Sequence, residues 1–478
     1  MGFKLGQSMS SGNLTADAPA AARVVLISPY ELGRQPFNLA QPAAWFKRAE
    51  ISLACLDLSQ QALDPVVLKH AEFVAIYLGM HTATRIAAAA LPKIRELAPQ
   101  ARIAAFGLYA PMNADWLRDL GAEAIFGGES EPDLLRWVES GVALAATQIR
   151  RDKIEFLLPD RSGLPALDRY AHLLLADDTR LNVGFAEASR GCKHLCRHCP
   201  VVPVYEGKFR VVPVEIVIAD VAQQVAAGAQ HISFGDPDFL NGPAHALKIA
   251  EAMHARFPAL TWDATIKIEH LLNHAELLPR LKQCGLLFII AAVEAVDDAI
   301  LGYLDKGHTR ADFEAALTHT RELGIALAPT FVPFTPWTTL AGYRELLATL
   351  LRLRLVEAVP PIQLAIRLLV PQGSYLMRLP EFAARVGDFD QTMLGYPWQA
   401  DDARVDVLQR DIMAWVMANE KSSLTRGEVF VGIWSRTYAA MNAPAPPLDP
   451  AQFGAPIPHH SEPWYCCAEP TETQLASF

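Results

Sequence analysis

The chain has 478 residues, 51% of them hydrophobic, with 42 basic against 52 acidic side chains and a formal charge of −10. That length allows two or three domains, each with a core of its own, and the acidic balance excludes a global attraction for nucleic acid. An odd count of seven cysteines argues against a secreted disulfide framework, no apolar run approaches the ~20 residues that span a bilayer, and residues 1–21 lack the apolar segment of a signal peptide. The expectation is a soluble, cytoplasmic protein that acts on a small molecule, with neither membrane nor nucleic acid as partner.

Residues 1–21 read as a disordered N-terminus. From 22 to 150, apolar runs at 23–28, 51–58, 73–78, 101–107 and 122–126 alternate with segments of helical period such as 83–97 and 115–120. Buried strands alternating with helices predict a doubly wound, Rossmann-like parallel sheet. Residues 151–180 read as a connector. Alternation resumes over 181–375, with six strands expected: at 181–188, at 260–267, 287–294, 325–331 and 362–369, and one ending at 232–238. Residues 376–443 read as a small amphipathic helical cap, notably 405–419 and 428–440. Residues 444–478 read as a strap and tail, with seven prolines between Pro444 and Pro463; that density predicts a stiff extended segment, neither helix nor sheet. Cys55 and Cys284 stand alone among apolar residues and are expected to pack in cores.

The chemistry concentrates where the first of the six strands ends. Ser189-Arg190-Gly191-Cys192-Lys193-His194-Leu195-Cys196-Arg197-His198-Cys199-Pro200 spaces three cysteines as C-x3-C-x2-C, at a strand-to-loop exit, where barrel sheets place their active groups. A closed structural zinc site needs four ligands, whereas a [4Fe-4S] cluster held by three cysteines leaves one iron open. The alternatives are a zinc knuckle completed by His194 or His198, and a non-enzymatic iron–sulfur or metal-binding redox module.

This spacing, with its Ser-Arg-Gly-Cys lead-in and following proline, resembles the radical SAM superfamily. The resemblance implies a partial (β/α)6 barrel over 181–375, a [4Fe-4S] cluster on Cys192, Cys196 and Cys199, and S-adenosylmethionine (SAM) on the open iron. It also implies a reducing partner such as flavodoxin or ferredoxin. Phe234-Gly235-Asp236 occupies the place of the segment that binds the SAM ammonium, so Gly235 and Asp236 are expected to position SAM. Glu294 stands where relatives carry a glutamate facing the SAM ribose or methionine; a lone carboxylate at a strand end also serves as a helix cap. Arg367, inside the apolar stretch 364–369, needs an anionic partner, either a SAM or substrate carboxylate or a structural salt bridge. The fold over 22–150, with Gly127-Gly128-Glu129-Ser130-Glu131 after its last strand, resembles the cobalamin-binding domain that precedes many radical SAM cores. The loop Ser28-Pro29-Tyr30-Glu31-Leu32-Gly33 lacks the family's cobalt-ligating histidine, and Phe106-Gly107-Leu108-Tyr109 replaces its glycine pair. The alternatives are therefore an unligated cobalamin and a retained scaffold covering the barrel.

The tail reads Pro463-Trp464-Tyr465-Cys466-Cys467-Ala468-Glu469-Pro470. Adjacent Cα atoms lie about 3.8 Å apart, below the roughly 4.4–6.8 Å of a relaxed disulfide, so the pair suits a soft, thiophilic atom instead. This ending resembles the CCAEP-tail radical SAM proteins and, through its chemistry, enzymes of the arsinothricin synthase type. The expectation is that Cys466 and Cys467 hold trivalent arsenic, supplied as arsenite, and that the 3-amino-3-carboxypropyl group of SAM is transferred to it. The alternative is adenosyl-radical modification of an organic metabolite or peptide.

Overall fold

The computed structural model describes residues 22–462. In its N-terminal part, β1 (Val24–Ser28), β2 (Leu53–Asp57), β3 (Phe73–Tyr77), β4 (Arg102–Phe106), β5 (Ala124–Gly128) and β6 (Gln148–Arg150) pair in parallel in the order β2-β1-β3-β4-β5-β6. Their runs are apolar on both faces because both faces are covered. On one, Val25, Ile27, Val74 and Ile103 pack under Ala87, Leu91 and Ile94 of the helix His81–Leu97. On the other, Val24, Leu26, Phe73 and Phe126 pack under Phe46, Leu134 and Trp137 from the helices Phe37–Arg48 and Glu131–Ser140. The five expected strands form; β6, three half-buried residues beyond them, is an addition.

The second sheet is built from β7 (His172–Leu174), β8 (Arg180–Ala186), β11 (His231–Phe234), β12 (Thr261–Thr265), β13 (Leu286–Glu294), β14 (Ala326–Phe331) and β15 (His459–His460), ordered β14-β13-β12-β11-β8-β7-β15. β8 and β11 through β14 run parallel, as a partial barrel requires. Just after β8, a short antiparallel pair, β9 (Ser189–Gly191) with β10 (Phe209–Val211), closes the loop that carries the cysteines. Outside the barrel the helices Val214–Ala226, Pro243–Arg256, Arg310–Glu322 and Leu340–Arg352 share one core with it, which continues into the cap helices Ala403–Asn419 and Arg426–Ala440 through Leu408, Ile412, Phe430 and Ile433. The second cap helix begins on a reciprocal Thr425–Glu428 capping box.

Two expectations are corrected. The sixth strand, 362–369, is absent: Pro361–Leu364 forms a 3₁₀ turn and only an isolated bridge, Phe334 to Arg367, continues the sheet. Pro360 and Pro361 have no N–H to donate to a ladder, although the apolar side chains that follow remain buried. The strap was expected to exclude sheet, yet its proline-free His459-His460 pairs antiparallel with β7, inside the stretch read as a connector.

Candidate functional site

The cysteine loop is held at both ends by the β9–β10 pair and in its middle by neighbouring elements: Arg197 N–H donates to Leu304 O at 2.9 Å, and Leu376 N–H donates to Arg197 O at 3.1 Å. Cys192 and Cys196 are buried, Cys199 is half-buried, and none of the three is in a disulfide. They open onto one cavity of about 280 Å³ at the exits of the barrel strands, shared with Gly235, Asp236, Glu294 and Lys306. Among the described residues no fourth cysteine lines it. The other two described cysteines, Cys55 and Cys284, are buried in cores, and burial pushes the Cys55 thiol up to about 12. Neither loop histidine turns to the thiols as a zinc knuckle would need: His198 Nε2 lies 3.3 Å from Glu294 Oε1, and His194 Nε2 lies 3.5 Å from Asp238 Oδ2.

Glu294 ends β13 at a register shift, with a left-handed φ of +68°. A non-glycine residue there is strained, and such strain collects at functional sites. Burial would raise its carboxyl, but the Lys306 ammonium at 3.2 Å, then His198, outweigh it and bring the group down to about 2. Burial in turn lowers Lys306, and its charge is sustained by Glu294, Cys196 and Cys199, which raise it. A buried ammonium facing two thiols and a carboxylate suits a negatively charged centre held by the cysteines. These residues fit a cluster.

Asp236 is engaged otherwise. It accepts hydrogen bonds from Ala188 N–H at 2.9 Å and from Ser189 Oγ, so it fastens the β8 exit to β11 while lining the cavity. Gly235 accommodates the Phe185 ring, which an added Cβ would strike. Arg367 lies outside the cavity: Nη1 binds Asp406 Oδ1 at 2.6 Å on the cap, Nη2 donates to Trp398 O, and the guanidinium stacks 3.7 Å from the Trp398 ring. Of its two expected partners, the structural salt bridge is the one formed. Lys306 is the residue sequence reading left without a role; it stands in the polar turn Asp305-Lys306-Gly307-His308, and Glu294 is twelve positions away.

The two sheets meet over a charged core. Arg190, two residues before Cys192, places Nη1 3.0 Å from Glu129 and 2.6 Å from Glu131, with Nε 2.9 Å from Glu187. Burial dominates at Glu129 and Glu187 and, against the attraction of Arg190, leaves both at about 7. Burial also raises Glu31 to about 8 and Asp236 to about 7. A carboxyl whose folded pKa is raised above its unfolded value of about 4.5 contributes stability fully present below that value and lost as pH rises through the folded one. The melting temperature is therefore expected to fall between about pH 6 and 8.5; a rise across that interval in differential scanning fluorimetry would contradict it.

A corrinoid has little room here. The Tyr77 ring fills the space beside Gly79 and Gly107, where an added Cβ at Gly107 would meet it at 2.7 Å. After β1 the buried Glu31, bonded to Ser28 and Asn38, stands in the loop without a histidine. The cavity beside Tyr77 measures about 130 Å³, and the cysteine cavity, whose other wall is Gly79, Met80, Leu108 and Tyr109, about 280 Å³; neither exceeds the ~300 Å³ at which small-molecule sites begin. These residues do not fit a cobalamin.

At the barrel's other end the strap reaches inside. His460 Nε2 lies 3.1 Å from the fully buried Asp263 Oδ2, which also faces His231 at 2.9 Å. Glu462 then accepts from the Tyr30 hydroxyl and lies in a crevice with Arg34, a residue that also lines the cysteine cavity. Cys466 and Cys467 lie outside the described residues.

Residues 186–337 match the sequence model of the Radical SAM superfamily. In fold, the chain resembles TsrM, a radical SAM methyltransferase from Kitasatospora setae solved with cobalamin and a [4Fe-4S] cluster, at 15% identity and a TM-score of 0.62, with 91% of each chain covered. It also resembles OxsB, a cobalamin-dependent radical SAM enzyme solved with aqua-cobalamin and SAM, at 14% identity and a TM-score of 0.64, covering 84% of this chain and 67% of OxsB. No helix among the described residues is long and apolar enough to cross a membrane. Residues 186–337, which carry the three cysteines, are thus a radical SAM domain, and the chain is an enzyme that works with a [4Fe-4S] cluster and S-adenosylmethionine.

Proposed function

We propose that Cys192, Cys196 and Cys199 hold the [4Fe-4S] cluster and that the adjoining cavity takes SAM. In this reading the 3-amino-3-carboxypropyl group of SAM passes to trivalent arsenic held by Cys466 and Cys467. When bound, the reduced cluster supplies the electron that opens a carbon–sulfur bond of SAM. The overall exchange is redox-neutral: methylthioadenosine leaves with its sulfur, the arsenic lone pair enters the new carbon–arsenic bond, arsenic(III) becomes formally arsenic(V), and the one electron supplied at the start would be returned. Glu294 and Lys306 set the charge beside the cysteines, Asp236 fixes the strand exit beneath SAM, and the N-terminal sheet covers the barrel and keeps water out.

One observation carries the arsenic reading: the path of the strap. It is anchored by His460 on Asp263 and by Glu462 on Tyr30, and its last described residue shares a crevice with Arg34, which also lines the cysteine cavity. Cys466 is four residues farther on, a reach of at most about 14 Å. Two thiolates bind arsenite by displacing oxygens and leave its lone pair exposed.

The test is anaerobic turnover of the reconstituted full chain with SAM, reductant and arsenite, followed by mass spectrometry of the nucleoside. Methylthioadenosine that depends on arsenite is the expected product, and Cys466→Ser/Cys467→Ser is expected to abolish that dependence while the cluster's iron stays in place. 5′-Deoxyadenosine formed with or without arsenite would overturn the reading.

The second reading is modification of an organic metabolite, favoured by the shared fold of TsrM, which has also been solved with a tryptophan substrate and a SAM analogue. S-adenosylhomocysteine formation dependent on added cobalamin would establish it. The filled space around Tyr77 weighs against it.

A further inference from the structure

His194, Asp238 and His270 come from three neighbouring strand exits: the cysteine loop after β8, the turn after β11, and the short helix Ile268–Asn273 after β12. Asp238 Oδ2 lies 2.6 Å from His270 Nδ1 and 3.5 Å from His194 Nε2, and the three atoms all fall within 4.8 Å of one another. These three atoms are buried, although the His194 and His270 rings are 18% and 12% exposed, and beyond the charge contact of Asp238 with the two rings none makes a hydrogen bond of normal geometry. The Asp238 side chain is 0% exposed, so Oδ2 has no contact with bulk solvent. Buried polar atoms without hydrogen bonds are rare enough to require an explanation, and three of them converging on one point share a single explanation.

We infer that His194, Asp238 and His270 bind one divalent metal ion of the zinc or ferrous class, at a site separate from the three cysteines. Two imidazole nitrogens and a carboxylate oxygen form a borderline N₂O donor set of the kind these ions take, with a position left for water. Ligand atoms around such an ion stand roughly 3–3.5 Å apart, given bonds of about 2.0–2.2 Å, so the pair at 2.6 Å would open by about 0.4–0.9 Å on binding, while the pair at 3.5 Å already fits.

The surroundings are built as an outer shell should be. Glu269 Oε2 lies 3.8 Å from His194 Nδ1, on the far side of the ring from the site, and is itself held by Lys267 Nζ at 3.2 Å. At 3.8 Å this is a charge contact, which a shift of under about 1 Å would turn into the carboxylate–histidine hydrogen bond that orients a ligating ring. Asp238 Oδ1 is steadied by the backbone N–H groups of Leu240 and Lys267, at 3.3 and 3.4 Å, which leaves Oδ2 for the ion. Because His194 sits between Cys192 and Cys196, the ion would tie the cysteine loop to the exits of β11 and β12. The inference does not depend on which group is transferred.

The experiment uses the full chain with its cluster reconstituted, incubated with Zn²⁺ as the probe and desalted. Elemental analysis is expected to give about one zinc beside about four iron per chain. Zinc-edge X-ray absorption is expected to show imidazole and oxygen scatterers at about 2.0–2.2 Å and no sulfur near about 2.3 Å. His270→Ala is expected to lower zinc at least roughly tenfold with iron unchanged, whereas His274→Ala, a neighbouring histidine outside the set, keeps it. Less than about one-tenth of a zinc in the wild-type protein, sulfur in the zinc shell, or full zinc retention in His270→Ala would each overturn the inference. The wild-type measurements decide the matter even if His270→Ala does not fold.

Discussion

Glu294→Gln is expected to lower SAM cleavage by about a hundredfold or more while the iron content stays near that of the wild type. The change keeps the shape of the side chain and removes its charge. Lys306, buried at 4% side-chain exposure, then loses the carboxylate 3.2 Å away that balances it. Removing one partner of a buried pair costs about 3–5 kcal/mol, and about 3 kcal/mol in the barrier corresponds to roughly a hundredfold in rate. The double variant Glu294→Gln/Lys306→Met separates two roles. If Glu294 serves only to neutralise Lys306, the double variant recovers both melting temperature and turnover. If Glu294 positions SAM, stability returns and turnover does not, which is the expected result. Wild-type turnover in the single variant would remove Glu294 from the site altogether.

The second large effect is expected at Arg190. Its guanidinium, 9% exposed, is shared by Glu129, Glu131 and Glu187, which are 1%, 5% and 14% exposed. Arg190→Met fills the space but leaves three buried carboxyls with no cation among them, a loss of about 3–5 kcal/mol by the rule for broken buried pairs. Protonation relieves that repulsion, because Glu129 and Glu187 already titrate near 7. The difference in melting temperature between variant and wild type should thus be large at pH 8 and much smaller at pH 5.5. An equal difference at both values would mean that Arg190 contributes packing alone. Because Arg190 lies two residues before Cys192, weaker cluster retention at pH 8 should accompany the loss.

Most of the local architecture was legible in the amino-acid order. The runs at 73–78 and 101–107 became β3 and β4 because five or six consecutive apolar residues flanked by helical period bury as parallel strands wherever both faces are covered. The helices Ala403–Asn419 and Arg426–Ala440 followed their periodicity to within two residues, one of them closed by a capping box written in Thr425 and Glu428. The C-x3-C-x2-C spacing fixed its own loop, since three cysteines within eight residues cannot be far apart. Local propensity misled at 362–369, where an apolar stretch suggested a strand but two prolines removed the donors needed for pairing.

What the sequence by itself determined was the set of short-range facts: which runs are strands, which are amphipathic helices, and that three thiols lie together after the first barrel strand. Only the tertiary structure decided which charges meet. Arg190 and Glu129 are 61 positions apart, Arg367 and Asp406 are 39, and His460 and Asp263 are 197. Nothing in chain order distinguishes such partners from any other charged residue. Periodicity reports which face of an element is buried, whereas ion pairs and the His194–Asp238–His270 cluster depend on which loops the closed sheet brings side by side. A buried charge tolerates only a matched neighbour, so those pairings are specified by the cost of leaving it unmatched, and that cost exists only once the fold has removed water.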